Sequence, residues 1–339
     1  MSADKLSSLV APAGGRGETA HRLPHDRWHP MEIAFWMLPV AAFFLFPDYL
    51  VLGSQILIVG LFALSLDLIL GYAGIVSLGH AAFFGVGSYT AGLLAAHGWG
   101  EPFSGLLAGG VLAALVGYAV SFLVVRGQDL TRLMVTLGIG LMLWEAANKA
   151  AFITGGVDGL SGVVMWKVLG IFGFDLMGKT AYLYSLVVVF LLFTILRRLV
   201  NSPFGLALRG VREGSKRMPA IGAPVQHRLV TIFTISAGVA GVAGALLAQT
   251  TQFVGLDVLG FPRSAELLIM LVLGGAGRLY GALVGAAIFM VAQDYLANIS
   301  PVYWQFWIGL LLVILVLFAR GGILGGVEAL SKRLGRRAR

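Results

Sequence analysis

Apolar residues fill this chain in long runs, several of about 20 residues, enough for a helix to cross a hydrocarbon layer of about 30 Å. Only short polar breaks separate them. The run lengths and their Gly, Pro and charged borders predict about ten spanning or near-spanning helices: residues 33–46, 50–71, 74–97, 103–125, 130–152, 180–199, 228–250, 264–275, 279–298 and 303–320. The run at 264–275 is too short to cross unaided. The prediction is an all-α, polytopic integral membrane protein with no room for a soluble domain. It comprises a polar tail (1–30), a transmembrane domain (31–326) and a basic tail (327–339). Two loops interrupt the domain, at 153–179 and 201–228.

Composition agrees. The chain is 58% hydrophobic and 12% charged, with mean hydropathy +0.89, whereas soluble domains carry roughly 25% charge. With no cysteine, disulfides and thiolate metal sites are excluded. Residues 1–30 are too long and polar for a cleaved signal. His21, His25 and His29 have helical i, i+4, i+8 spacing, but Pro24 interrupts any helix there, which favours a tail over a metal site.

Charge predicts orientation. With an even number of spans and the N-terminus inside, 20 of the 24 Lys and Arg fall on the cytoplasmic side, leaving Lys149, Lys167, Lys179 and Arg263 outside. Both termini and the 201–228 loop are then cytoplasmic, and the 153–179 loop extracytoplasmic. The net charge of +8 suits anionic inner-leaflet lipid and calls for no nucleic acid.

Two helix breaks look alike: Leu70-Gly71-Tyr72-Ala73-Gly74 and Leu273-Gly274-Gly275-Ala276-Gly277. Glycine interruptions in corresponding places point to transporter sites. After the first break, Ser77, Ala81, Gly85, Ser88 and Gly92 line one helical face; Ala237, Gly241, Gly244 and Ala248 form a second stripe, and Gly277, Gly281 and Gly285 a third. Such stripes let helices pack closely in lipid. The first also carries Ser77 and His80 beside a Gly-rich turn, which makes Gly74, Ser77, Gly79, His80, Gly85 and Ser88 the candidate substrate pathway. The ionisable residues inside spans are Asp67, His80, Glu145, Glu266 and Asp294. A charge at a helix centre costs roughly 2.5–3.5 kcal/mol, so each must face protein, water or an interface. Here Glu145, Glu266 and Asp294 are expected toward the outer half and Asp67 toward the inner end, while His80 is the deepest. A histidine bonded to a backbone carbonyl explains His80 equally well.

Gly173 to Thr180 matches the phosphate-loop pattern letter for letter. Its chemistry needs a preceding strand and a soluble helix, whereas here a membrane span follows. An interfacial Lys179 is the better reading. No HExxH, GxSxG or spaced carboxylate pair is present, which weakens an intramembrane-enzyme reading.

The 201–228 loop has its own order. Ser202 suits an N-cap, Pro203 the first helical position, and Phe204, Leu208 and Val211 an apolar stripe. Glu213 and Arg217 have the spacing of a helical ion pair; Pro219 is expected to end the helix, and Gly222 with Pro224 to turn the chain. The prediction is a short amphipathic helix at the membrane face that offers Phe204 to a soluble partner. A surface helix held by anionic lipid is the alternative.

From about Leu50 to Gly326 the chain resembles the LivM-like permeases of branched-chain amino-acid ABC transporters. The most specific run is GYAGIVSLGHAAFFGVGSYTAG, Gly71 to Gly92, followed by TGGVDG at 154–159, SPFG at 202–205, AELL from Ala265 and LGGAG at 273–277. The resemblance implies a bacterial inner-membrane permease without catalytic site or cofactor. It pairs with a second related permease, sits on two cytoplasmic ATPases and receives an amino-acid substrate from an extracytoplasmic binding protein. It further implies an ATPase-docking loop with Phe204, Gly205, Arg212, Glu213 and Gly222 as coupling residues. The loop departs from the family pattern after Glu213, where Gly214 and Ser215 replace Asn and Glu. Permeases for urea or short amides look much the same. Outside the family, an ion-coupled secondary transporter is the rival, and it would want a deeply buried ionic site.

Overall fold

The computed structural model describes residues 30–318 other than 128, 169, 176, 216 and 302, together with 322, 323 and 325. The His21–His29 pattern, Lys216 and the C-terminal basic tail lie outside the described residues. Eleven helices of twelve residues or more follow in order: α1 Pro30–Leu45, α2 Leu50–Asp67, α3 Ala81–Ala96, α4 Pro102–Arg126, α5 Asp129–Lys149, α6 Lys179–Asn201, α7 Pro203–Gly214, α8 Val225–Thr251, α9 Phe261–Gly274, α10 Leu279–Ile299 and α11 Trp304–Phe318. All but α7 coincide with a predicted apolar segment. Six helices among the described residues are long and apolar enough to cross a membrane; α1 and α3 are shorter apolar helices. The chain is a polytopic all-α membrane protein.

One boundary differs in an instructive way. The segment expected to be helical from residue 74 does not become so until Ala81. Ahead of it, α2 widens into a π-helical turn at Leu68–Tyr72, and Gly74 adopts a left-handed φ of +72° that ends the helix. Residues 75–80 are irregular but buried against protein, the one circumstance in which such backbone is tolerated at membrane depth.

Small residues set the packing at the centre, where α8 lies against α3 and α4. A Cβ on Gly87 would overlap the Gly241 carbonyl, one on Gly244 the Phe84 carbonyl, and one on Gly117 the Ala237 side chain. In lipid, where tails are as apolar as leucine, this close backbone approach supplies the dispersion energy that holds helices together. Phe62 stacks on Phe84 and Phe83 meets Phe233 edge-on beside this seam, while Phe193 packs against Trp36 and Tyr280; all five phenylalanines are fully buried.

The chain has two distinguishable ends. At one, residues 97–102, the 155–178 loop and residues 252–254 meet: Leu160 N–H donates to Val254 O at 2.8 Å and Trp166 N–H to Gly100 O at 2.8 Å. At the other lie α7, both glycine breaks, the start of α1, where Glu32 pairs with Arg197 at 2.9 Å, and Gly322 against Gly275. The first and last described residues therefore share the end that carries α7.

Candidate coupling and translocation site

The irregular segment after Gly74 is held from three sides. Leu78 N–H donates to Thr136 Oγ1 of α5 at 3.3 Å, and Ala81 N–H, an orphan donor at the start of α3, donates to Ser264 Oγ of α9 at 2.9 Å. Gly79 sits so close to Thr136 that a Cβ would overlap its carbonyl oxygen. Fully buried behind them, His80 Nε2 lies 2.9 Å from Ser65 Oγ and 3.4 Å from Ser236 Oγ, its ring stacked on Phe62 at 5.8 Å. Side-chain hydroxyls, rather than the backbone carbonyl expected, partner this histidine. His80 Nδ1 and the Ser77 hydroxyl are buried without a partner. The remaining pathway candidates are occupied by packing: Leu259 fills the space over Gly85, and Ser88 Oγ donates to Gly244 O at 2.8 Å.

The two look-alike breaks meet. Asp67, fully buried at the end of α2, accepts through Oδ1 from Gly277 N–H at 2.6 Å. Gly71 lies against Gly277 closely enough that a Cβ would strike its amide. Into this junction reaches Arg212 of α7, whose Nη1 donates to Gly71 O and lies against Gly277. One turn earlier, Arg209 stands 5.3 Å over the Tyr72 ring, a cation–π contact. In the sequence, Asp67 reads as an ionisable residue inside a span, toward its inner end, with no partner assigned. The signal for its role was its position one helical turn before Gly71.

The α7 helix departs from expectation in detail. Ser202 occupies the N-cap position, but its hydroxyl donates back to Leu199 O at 2.6 Å. Gly205, Leu208 and Val211 form the buried face; Phe204 is half-buried against the chain's own core, so it is only partly available to another protein. Gly205 abuts the Val200 carbonyl where a Cβ would not fit, which explains a glycine at this sharp α6–α7 corner. Arg212 faces the membrane domain, and Glu213 is exposed. The helix ends at Gly214, before Pro219, so Arg217 lies past its end and cannot form an intrahelical pair with Glu213. Gly222 has φ +79° with open space around its Cβ position, so its requirement is conformational.

At the opposite end, the phosphate-loop look-alike holds no cradle. Asp175 Oδ1 accepts from Thr180 N–H at 3.1 Å, which places a carboxylate where a phosphate would sit. Among the described residues, no strand precedes it; residues before it take part in isolated bridges, Leu160–Val254 and Val168–Phe172.

A family model described as the branched-chain amino acid transport system permease component matches residues 50–316. The chain is 29% identical over 283 residues to the high-affinity branched-chain amino acid transport system permease protein LivM of Escherichia coli K12, covering 77% of this chain and 66% of that protein. It is 26% identical over 285 residues to the corresponding permease protein LivH of the same organism, covering 79% and 91%. It is also 29% identical over 221 residues to the L-arabinose ABC transporter permease protein AraH of Azospirillum brasilense, covering 62% of each. No solved structure matches. With a match that runs from the start of α2 into α11 and takes in both glycine breaks and α7, the chain belongs to the family of branched-chain amino-acid transport permease components.

Proposed function

We propose that this chain is the translocation subunit of an ATP-driven ABC importer for branched-chain or other hydrophobic amino acids. It works with a second related permease, two cytoplasmic ATPases and an extracytoplasmic binding protein. The observation that carries this reading is the grip of α7 on both glycine breaks through Arg212 and Asp67. A short helix at one end of the bundle is thereby tied to the two places where spanning helices are interrupted. Force applied to α7 by a closing ATPase pair moves the breaks, and the segment from Gly74 to His80 shifts with them to open the route past Ser77, Gly79 and His80. Gly85 and Ser88 line that route once α3 moves off Leu259 and α8. The excess of basic residues near α7 supports a cytoplasmic position for this end, where Glu213 and half-buried Phe204 would meet the ATPase. The chain itself hydrolyses nothing.

The test is leucine uptake into proteoliposomes holding the complete complex. Uptake is expected to require ATP inside, the binding protein outside and all four membrane-side subunits; leucine entry driven by an ion gradient with the ATPases omitted would overturn the reading. Competition with urea and L-arabinose in the same assay identifies the cargo, because permeases of this kind also serve sugars in relatives such as AraH.

A further inference from the structure

Arg263 was expected outside the membrane, yet its neighbours put it deep within. Along α2 and its π turn, Leu50 to Tyr72 spans about 34 Å. Ser65 lies about 22 Å from one end of that run and about 10 Å from the other, inside a hydrocarbon layer of about 30 Å. His80 bonds to Ser65 at 2.9 Å, and the next residue, Ala81, bonds to Ser264 at 2.9 Å. Leu259 packs on Gly85, about 6 Å further along α3. The chain therefore re-enters after Val254, runs down beside α3 and starts α9 near mid-depth.

On that re-entrant turn stands an ionic cluster. Arg263 Nη1 is 3.3 Å from Glu266 Oε2 and Nη2 is 3.6 Å from Asp257 Oδ2. The side chains are open: Arg263 is 28% exposed and Asp257 73%. On α3, one turn beyond Gly85, the Tyr89 hydroxyl is buried without a partner. Exposed charges at this depth cannot face lipid; they face water or another protein.

We infer that Asp257, Arg263 and Glu266 form a way-station for a zwitterion on the translocation pathway, on the face shared with the second permease. This deepens the function proposed above and rests on it. The pairs at rest are long and half-solvated, so they exchange readily. An incoming α-carboxylate takes Arg263 from one of its acids, and the released carboxylate takes the α-ammonium. Charge stays balanced throughout, as a poorly solvated passage requires. The site holds the ends common to all amino acids, leaving cargo selection to the binding protein.

The experiment uses the complete reconstituted complex and reads [14C]leucine uptake beside ATP hydrolysis stimulated by leucine-loaded binding protein. Arg263→Gln is expected to lower maximal uptake about tenfold or more, with half-saturation unchanged and ATPase stimulation within about twofold of the parent. Arg263→Lys is expected to restore part of the uptake, and Asp257→Asn to lower it with the same signature. Uptake by Arg263→Gln and Asp257→Asn at the parental rate would overturn the inference. So would joint loss of uptake, ATPase stimulation and co-purification of the second permease, which would make the cluster a subunit bridge. A parent complex that imports urea and not leucine would sink the amino-acid reading itself, and is recognised before any variant is made.

Discussion

Asp67 illustrates how much one side chain decides. Its carboxylate satisfies the Gly277 amide, and Asp67→Ala leaves that donor without its partner in a part-buried junction, at a cost of up to about 1–3 kcal/mol. We expect a lower unfolding midpoint in detergent for Asp67→Ala and a smaller loss for Asp67→Asn, which keeps an acceptor oxygen. Gly222 acts differently: its left-handed backbone tolerates no side chain cheaply, though space is open. Gly222→Val is expected to leave membrane insertion intact and to abolish uptake, and wild-type uptake by that variant would remove the turn from the coupling scheme. At the N-terminal border of α4, Glu101 caps the helix through Ser104 N–H at 2.8 Å. The Ser104 hydrogen bonds hold its carboxyl below the usual carboxylate range. A depressed acid stabilises the fold above its unfolded pKa, and that contribution fades as pH falls through the lower folded value. Glu101→Gln should accordingly flatten the acid limb of the stability profile.

Among the elements, α7 and the α2–α3 break carry the functional argument. Replacing Arg212 with Ala frees α7 from Gly71 without removing its apolar anchor of Leu208 and Val211. ATP hydrolysis is expected to persist while leucine uptake per ATP falls about tenfold; unchanged coupling in that ratio would show that α7 transmits through other contacts. These elements were unequally legible in the sequence. Hydropathy located all ten apolar helices because a hydrocarbon solvent leaves little freedom in length and composition. It placed the start of α3 seven residues early, since Ile75 and Leu78 are as apolar as helix interiors; only Gly74 hinted that the backbone turned. The deeper position inferred for Arg263 would be hidden from the sequence for a related reason. A charge beside a short apolar run reads as a loop, and nothing local reveals that residues 252–260 fold back into the bundle. The contacts of Arg212 with Gly71 and of Ser236 with His80 join residues more than 140 apart, beyond what periodicity can register.

For the whole molecule, orientation is the open physical question that the charges answer most directly. The chain has no native cysteine, so a single introduced one reports its side cleanly. Lys167→Cys is expected to react with an impermeant maleimide in intact cells and Arg217→Cys only after the membrane is opened; the reverse pattern would invert the topology and with it the ATPase assignment. The compact seam of α4 and α8 should meanwhile behave as one block. Gly241→Leu, which wedges that seam against Gly109 and Ala113, is expected to prevent accumulation of folded protein, whereas substitutions on exposed Leu107 or Leu115 are expected to be tolerated.

The meeting of the two breaks has a mechanical corollary. A lever fastened to one hinge would let the two interrupted helices drift out of phase, and each stroke could leak. With Arg212 on Gly71 and Asp67 on Gly277, the coupling proposed above would gear the hinges together. They would then swing in the same instant, and a half-open passage would not be a resting posture.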